Sequence, residues 1–174
     1  IVGGTGFSPW QPFTFPFVQG EPGSVIWQFI ALFFFLQPTA DAMGMRRLWI
    51  STAFVWLFAT AVKFSAEALG ILTPAPVYGF GFWVEALVAW FGFLHKGQPV
   101  RFMLFLPMRA EMLAWASGLL CLLYLLFSRD TAALHMLAAF GAAWASLWFD
   151  PDMFRRWRLQ RRKDKIVREQ TKFE

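Results

Sequence analysis

Residues 77–92 read VYGFGFWVEALVAWFG. The run opens on a glycine turn, Gly79-Phe80-Gly81, and continues into an apolar stretch of helical length. That is a setting in which a nucleophilic serine is held at the head of a buried helix, yet glycine and phenylalanine stand where the chemistry would be. How the run is read depends on the medium around it. The chain is 57% hydrophobic and 20% aromatic but only 16% charged. One soluble core would have to hide every apolar run in such a sequence, whereas a bilayer accepts spans of about 20 apolar residues directly.

Outward from this run, four more apolar stretches are visible, so that the spans fall near 24–42, 48–64, 77–94, 111–127 and 131–149. The predicted fold class is an all-α polytopic membrane protein with five visible spans. It divides into three regions: an outer interfacial loop at 1–23, a transmembrane helix bundle at 24–149, and a basic amphipathic tail at 150–174. Gln28 and Glu85 interrupt the first and third spans. Polar groups at membrane depth are costly unless they face protein or water, so both are expected to point inward. Glu85 is expected to be neutral and hydrogen-bonded, or paired with a base such as Lys63.

Lys and Arg concentrate in cytoplasmic segments. With the C-terminus inside, fourteen of the sixteen basic residues lie on the inner side, leaving only Lys63 and Arg129 outside. The positive net charge therefore reflects topology rather than nucleic-acid binding. A cytoplasmic C-terminus in a bacterial inner membrane is the resulting expectation. The chain begins with Ile1, and a further N-terminal helix is expected to bring that end in from the inside. The opening IVGGTGFSPW is too short and glycine-rich for the apolar core of a signal peptide.

Prolines alternating with aromatics at residues 7–18 suit a structured loop at the membrane interface, with Trp10 as an anchor. The inner segment at 95–111 carries FMLFLPM (102–108), read as a re-entrant or interfacial insert. In the fifth span the small residues Ala138, Ala142 and Ala145, with Gly141 beside them, let helices approach closely, so this span is expected to be the most enclosed. The tail places Phe154, Arg155, Trp157, Arg158, Arg161 and Arg162 on adjacent helical turns. This is a basic surface with an apolar side for anionic lipid at the inner leaflet or for a protein partner. The single Cys121 lies in an apolar run and is read as packing, with neither disulfide nor metal implied.

Depth brings distant positions together, because a helix advances about 1.5 Å per residue. Gly81 near the top of one helix, Ser24 and Gln28 in the first turns of another, and His135 one turn below the outer hairpin share a layer about 5–10 Å beneath the outer surface. The order of PWQPFTFPFV (9–18), SVIWQFIALFFFLQPTADAMGMRR (24–47), VYGFGFWVEALVAWFG, FMLFLPMRAEMLAW (102–115) and LHMLAAFGAAW (134–144) resembles the rhomboid family of intramembrane serine proteases. The resemblance implies a rhomboid-like bundle whose first family helix has no counterpart in these residues. It also implies remnant catalytic positions at Ser24 and Gln28, where the family has histidine and asparagine, at Gly81 in place of the nucleophilic serine, and at His135 for the base.

Glycine has no atom with which to attack, and a base without a nucleophile forms no acyl-enzyme. Phe82, where the family has glycine, crowds the space that a substrate carbonyl needs. Ser117 lies about 10 Å deeper than His135 and cannot replace the missing hydroxyl. The resemblance thus implies a non-catalytic pseudoprotease that binds or stabilises other transmembrane proteins as an assembly or accessory subunit, with no cofactor and no metal. Two alternatives stand beside it: an accessory subunit of an energy-converting membrane complex, with His135 as an axial ligand to haem or a chlorophyll-type pigment, and an active protease with an atypical nucleophile.

Overall fold

The computed structural model describes residues 11–14, 17–18, 22–102 and 106–148. Among the described residues six helices are present: α1 (Gln11–Thr14), α2 (Pro22–Met43), α3 (Met45–Ala68), α4 (Gly81–Leu94), α5 (Ala110–Ser128) and α6 (Thr131–Trp148). A two-stranded hairpin, β1 (Pro99–Phe102) and β2 (Leu106–Arg109), stands between α4 and α5. α2, α3, α5 and α6 are each long and apolar enough to cross a membrane. This is the architecture of a multi-pass membrane protein, in which each helix satisfies its own backbone where lipid cannot.

Pairs of contacting residues define the directions of the helices. The Arg47 guanidinium donates to the Leu147 carbonyl at 2.9 Å, and the Thr131 hydroxyl donates to Glu67 at 2.8 Å, so α3 and α6 run antiparallel. Phe82 meets His135, and the Trp90 indole donates to the Ala143 carbonyl at 3.0 Å, so α4 runs parallel to α6. Ser117 donates to Glu85 at one level while Gly92 lies against Ala110 and Ala114 at another, so α5 opposes α4. α2 lies parallel to α4, with Gln28 against Phe80 and Phe35 against Phe91. α4 therefore occupies the centre of the bundle, with α2, α3, α5 and α6 all packed against it.

Tight connections make this possible. Between α2 and α3 the chain reverses through Gly44 alone, at φ +80°, a conformation open chiefly to glycine. Between α5 and α6, Arg129 takes the left-handed conformation and the Asp130 carboxylate accepts the Ala133 amide at 2.7 Å as an N-cap. The Arg47 contact satisfies one of the carbonyls left open at the end of α6.

Two expectations are corrected, and the insert after α4 gains a detail. The third apolar stretch becomes helical at Gly81, not near residue 77, and α4 has only 14 residues, about 21 Å and short of a hydrocarbon core of about 30 Å. The missing length is filled by residues 69–80, a non-helical strap that descends among the helix ends. Within a fold that is otherwise helical, β1 and β2 pair antiparallel in the apolar insert after α4, with Pro99 opposite Arg109 and Phe102 opposite Leu106. Finally, α4 rather than α6 is the most enclosed helix. Phe82 and the run Ala86–Trp90 are buried, and Trp90 is fully so, whereas Gly141 on α6 has open space beside it.

Helix approach depends on two other glycines. A Cβ at Gly92 would stand 2.4 Å from the Ala114 Cβ and 2.6 Å from the Ala110 carbonyl, and one at Gly118 would stand 2.6 Å from the Phe140 ring. Gly92 lets α5 close on α4, and Gly118 lets α6 close on α5. Trp10 and the tail residues Phe154, Arg155, Trp157, Arg158, Arg161 and Arg162 lie outside the described residues.

Candidate functional site beneath the strap

Non-helical backbone at membrane depth needs hydrogen-bond partners from protein, because lipid offers none. The strap finds them at both ends. The Thr73 amide donates to the Arg129 carbonyl at 3.1 Å, and the Thr131 amide returns a bond to the Thr73 carbonyl at 3.0 Å. The Ala75 amide donates to the Thr131 hydroxyl at 2.9 Å. At the other end the Gly79 amide donates to the Val18 carbonyl at 2.8 Å, and the Phe80 amide donates to Gln28 Oε1 at 2.9 Å. Gln28 is thus directed inward, as expected, and its role is to hold the turn that starts α4.

The hydroxyl of Thr131 links the strap to α3. While accepting from Ala75 it donates to Glu67, whose carboxylate also binds the Lys63 ammonium one turn earlier on α3. Lys63 is 1% exposed and Thr131 not at all. His135, also 1% exposed, comes four residues after Thr131 and so lies on the same face of α6, one turn deeper. Its ring stands edge-on to Phe82 at 5.8 Å. Lys63, Glu67, Thr131 and His135 form a polar seam between α3 and α6. Ionisable groups buried between the helices of a membrane protein are costly and so mark a candidate functional site.

Of the four positions of the expected layer, His135 belongs to this seam, and Gln28 and Gly81 meet at the turn that starts α4. Gln28 binds the turn and Gly81 begins α4. A Cβ at Gly81 would meet the Met136 thioether at 3.4–3.5 Å, next in sequence to His135. Ser24 lies one turn before Gln28 on the same face of α2. The space at Gly81 is thus lined by Met136, with Phe82 across the imidazole. The Thr131 hydroxyl is committed to Glu67 and the Ala75 amide, and the Ser117 hydroxyl to Glu85.

Of the two alternatives for Glu85, the structure shows the hydrogen bond rather than the pair with Lys63. Glu85 takes the Ser117 hydroxyl of α5, while Lys63 pairs with Glu67. Among the described residues no group of three His, Cys, Asp or Glu side chains gathers to hold a metal. His135 is buried, with the Phe82 ring edge-on to its imidazole, so ligation of a porphyrin at its ring would require neighbouring side chains to move aside. The Lys63–Glu67 pair was visible in the sequence as oppositely charged residues four apart at the end of a span. Reading Lys63 as an outer basic residue and as a possible partner of Glu85 missed it. Thr131 carried no such signal.

No protein-family model, curated protein or solved structure matches the chain.

Proposed function

We propose that this is a non-catalytic, rhomboid-like membrane protein that binds or stabilises other transmembrane proteins as an assembly or accessory subunit. The observation that carries the reading is at Gly81. The position where the resemblance puts the nucleophile has no side chain and faces the Met136 thioether, with Phe82 set against His135. A tetrahedral acyl intermediate needs an attacking oxygen and donors placed for its oxyanion. Gln28, where the resemblance puts one of the oxyanion-stabilising positions, instead accepts the Phe80 amide through Oε1 and so serves the turn that starts α4.

An outward surface for a partner is available. α2 has the smallest buried share of the four spanning helices, and Trp27, Phe29, Phe33 and Phe34 point away from the bundle. Helix association in lipid relies on packing rather than on hydrophobic force. The distribution of basic residues supports a cytoplasmic C-terminus in a bacterial inner membrane, with the tail at anionic headgroups.

The test has two readouts on protein extracted in mild detergent. A serine-directed fluorophosphonate should leave the chain unlabelled, and a transmembrane partner should co-purify in fixed stoichiometry. Labelling that disappears in His135→Ala would replace this reading with an active protease. Co-purification of coloured subunits at unit stoichiometry would replace it with an energy-converting complex.

A further inference from the structure

We infer that residues 69–80 form a lid, hinged at Gly70 and Gly79, whose opening admits water from the strap end of the bundle to the Lys63–Glu67–His135 seam. The hinges are read from the backbone. Gly70 (φ +63°) and Gly79 (φ +67°) are the two positive-φ residues of the segment, one at each end. Between them Pro74 and Pro76 hold the chain extended, so it moves as one piece rather than crumpling.

Between its hinges the attachments of the lid are mostly hydrogen bonds. Of its side chains only Val77 is buried, at 8%, while Leu69 and Ile71 are 72% and 65% exposed. The lid is otherwise retained by the hydrogen bonds to Arg129, Thr131, Val18 and Gln28, by the amides of residues 69–71 bonded back to the end of α3, and at its far end by the Phe80 ring against Phe17 and Trp83. A segment with little apolar burial and a few backbone bonds opens at lower free energy than the helices it rests on. What it covers is unlike ordinary packing. Lys63 and His135, each 1% exposed, lie about one helical turn beneath the attachment at Thr131. Movement about two glycines lifts the cover without breaking any helix, which is the mechanics of a hinged closure.

Thr131 is the principal fastening, because its hydroxyl binds both the lid and Glu67. Cys121 is the only cysteine in the chain, so thiol accessibility can be read one site at a time. In a Cys121→Ala background, Val77→Cys reports on the underside of the lid and His135→Cys on the seam. A membrane-impermeant maleimide is applied to protein in liposomes, and labelling rates are compared with and without Thr131→Val. Native Cys121, 6% exposed on α5, reports general loosening in a chain that lacks the other substitutions.

Removal of the two bonds should speed labelling at positions 77 and 135 by roughly tenfold, with the rate at Cys121 unchanged. Rates at 77 and 135 that do not rise overturn the lid. So does a matching rise at Cys121, which means the whole bundle has loosened. A rise at 77 alone overturns the water path. Should Thr131→Val fail to fold, Gln28→Met releases the opposite end at Phe80, and the same outcomes apply.

Discussion

The Thr131 hydroxyl, at the first residue of α6, donates to the Glu67 carboxylate of α3 at 2.8 Å. Through that single oxygen the strap, α3 and α6 are joined, since Thr131 also receives the Ala75 amide and Glu67 also holds Lys63. The arrangement explains why a helix can begin below the ends of its neighbours. Loop backbone at that depth is stable only when side chains replace the water it has lost.

The Lys63–Glu67 pair should respond unequally to single and double substitution. Lys63→Met leaves the carboxylate without its counter-charge and is expected to cost about 3 kcal/mol. Lys63→Met combined with Glu67→Met removes both charges and should regain most of that loss. Unfolding in mixed detergent and dodecyl sulfate measures it. A double variant less stable than the single would refute the buried pair.

Glycines should differ sharply by position. Gly92→Ala forces a methyl group against Ala114 and the Ala110 carbonyl, both under 3 Å from the added atom, and should destabilise by about 1–3 kcal/mol. Gly118→Ala meets the Phe140 ring and should cost a similar amount, somewhat relieved by ring movement. Gly141→Ala enters open space and should be neutral or slightly stabilising, because alanine is the better helix former. Equal effects at 92 and 141 would contradict the packing of α4 on α5.

Trp90 anchors the centre of the bundle, and its indole donates to both the Ala143 carbonyl and the Ser146 hydroxyl. Trp90→Phe keeps most of the ring but loses these bonds, for an expected loss of about 1–2 kcal/mol. Trp90→Ala opens a cavity and should cost about 3–5 kcal/mol. The difference between the two, read in the same unfolding assay, separates hydrogen bonding from volume.

Sequence alone located the four long spans, because several apolar runs of bilayer-crossing length in so short a chain exceed what one soluble core can bury. Gln28 and His135 could be placed in one layer by counting residues from the span ends, and the contacts of Phe80 with Gln28 and of Phe82 with His135 agree with that depth. The start of α4 was not legible. Val77 to Phe80 are as apolar as the first turn of α4, and only the bonds of Gly79 and Phe80 to Val18 and Gln28 show that the chain is not yet helical. Nor was the partner of Glu85, since whether it faces Lys63 or Ser117 depends on the rotation of α4 about its axis, which depth leaves undetermined. The approach at Gly92 was hidden for a related reason: a glycine matters there only because Ala110 and Ala114 stand opposite. The hairpin was obscured by its own composition, as Val100, Phe102, Leu106 and Met108 read as readily as an interfacial run.

Absence of peptide cleavage alongside binding is the central claim, and intact-mass analysis of a single-span membrane polypeptide reconstituted with this protein addresses it most directly. A photoreactive residue at Phe33 on the outward side of α2 captures the encounter. The expected result is an adduct that contains the full-length polypeptide, with no fragments accumulating over hours. Fragments that appear with the wild-type chain and vanish with His135→Ala would contradict the account.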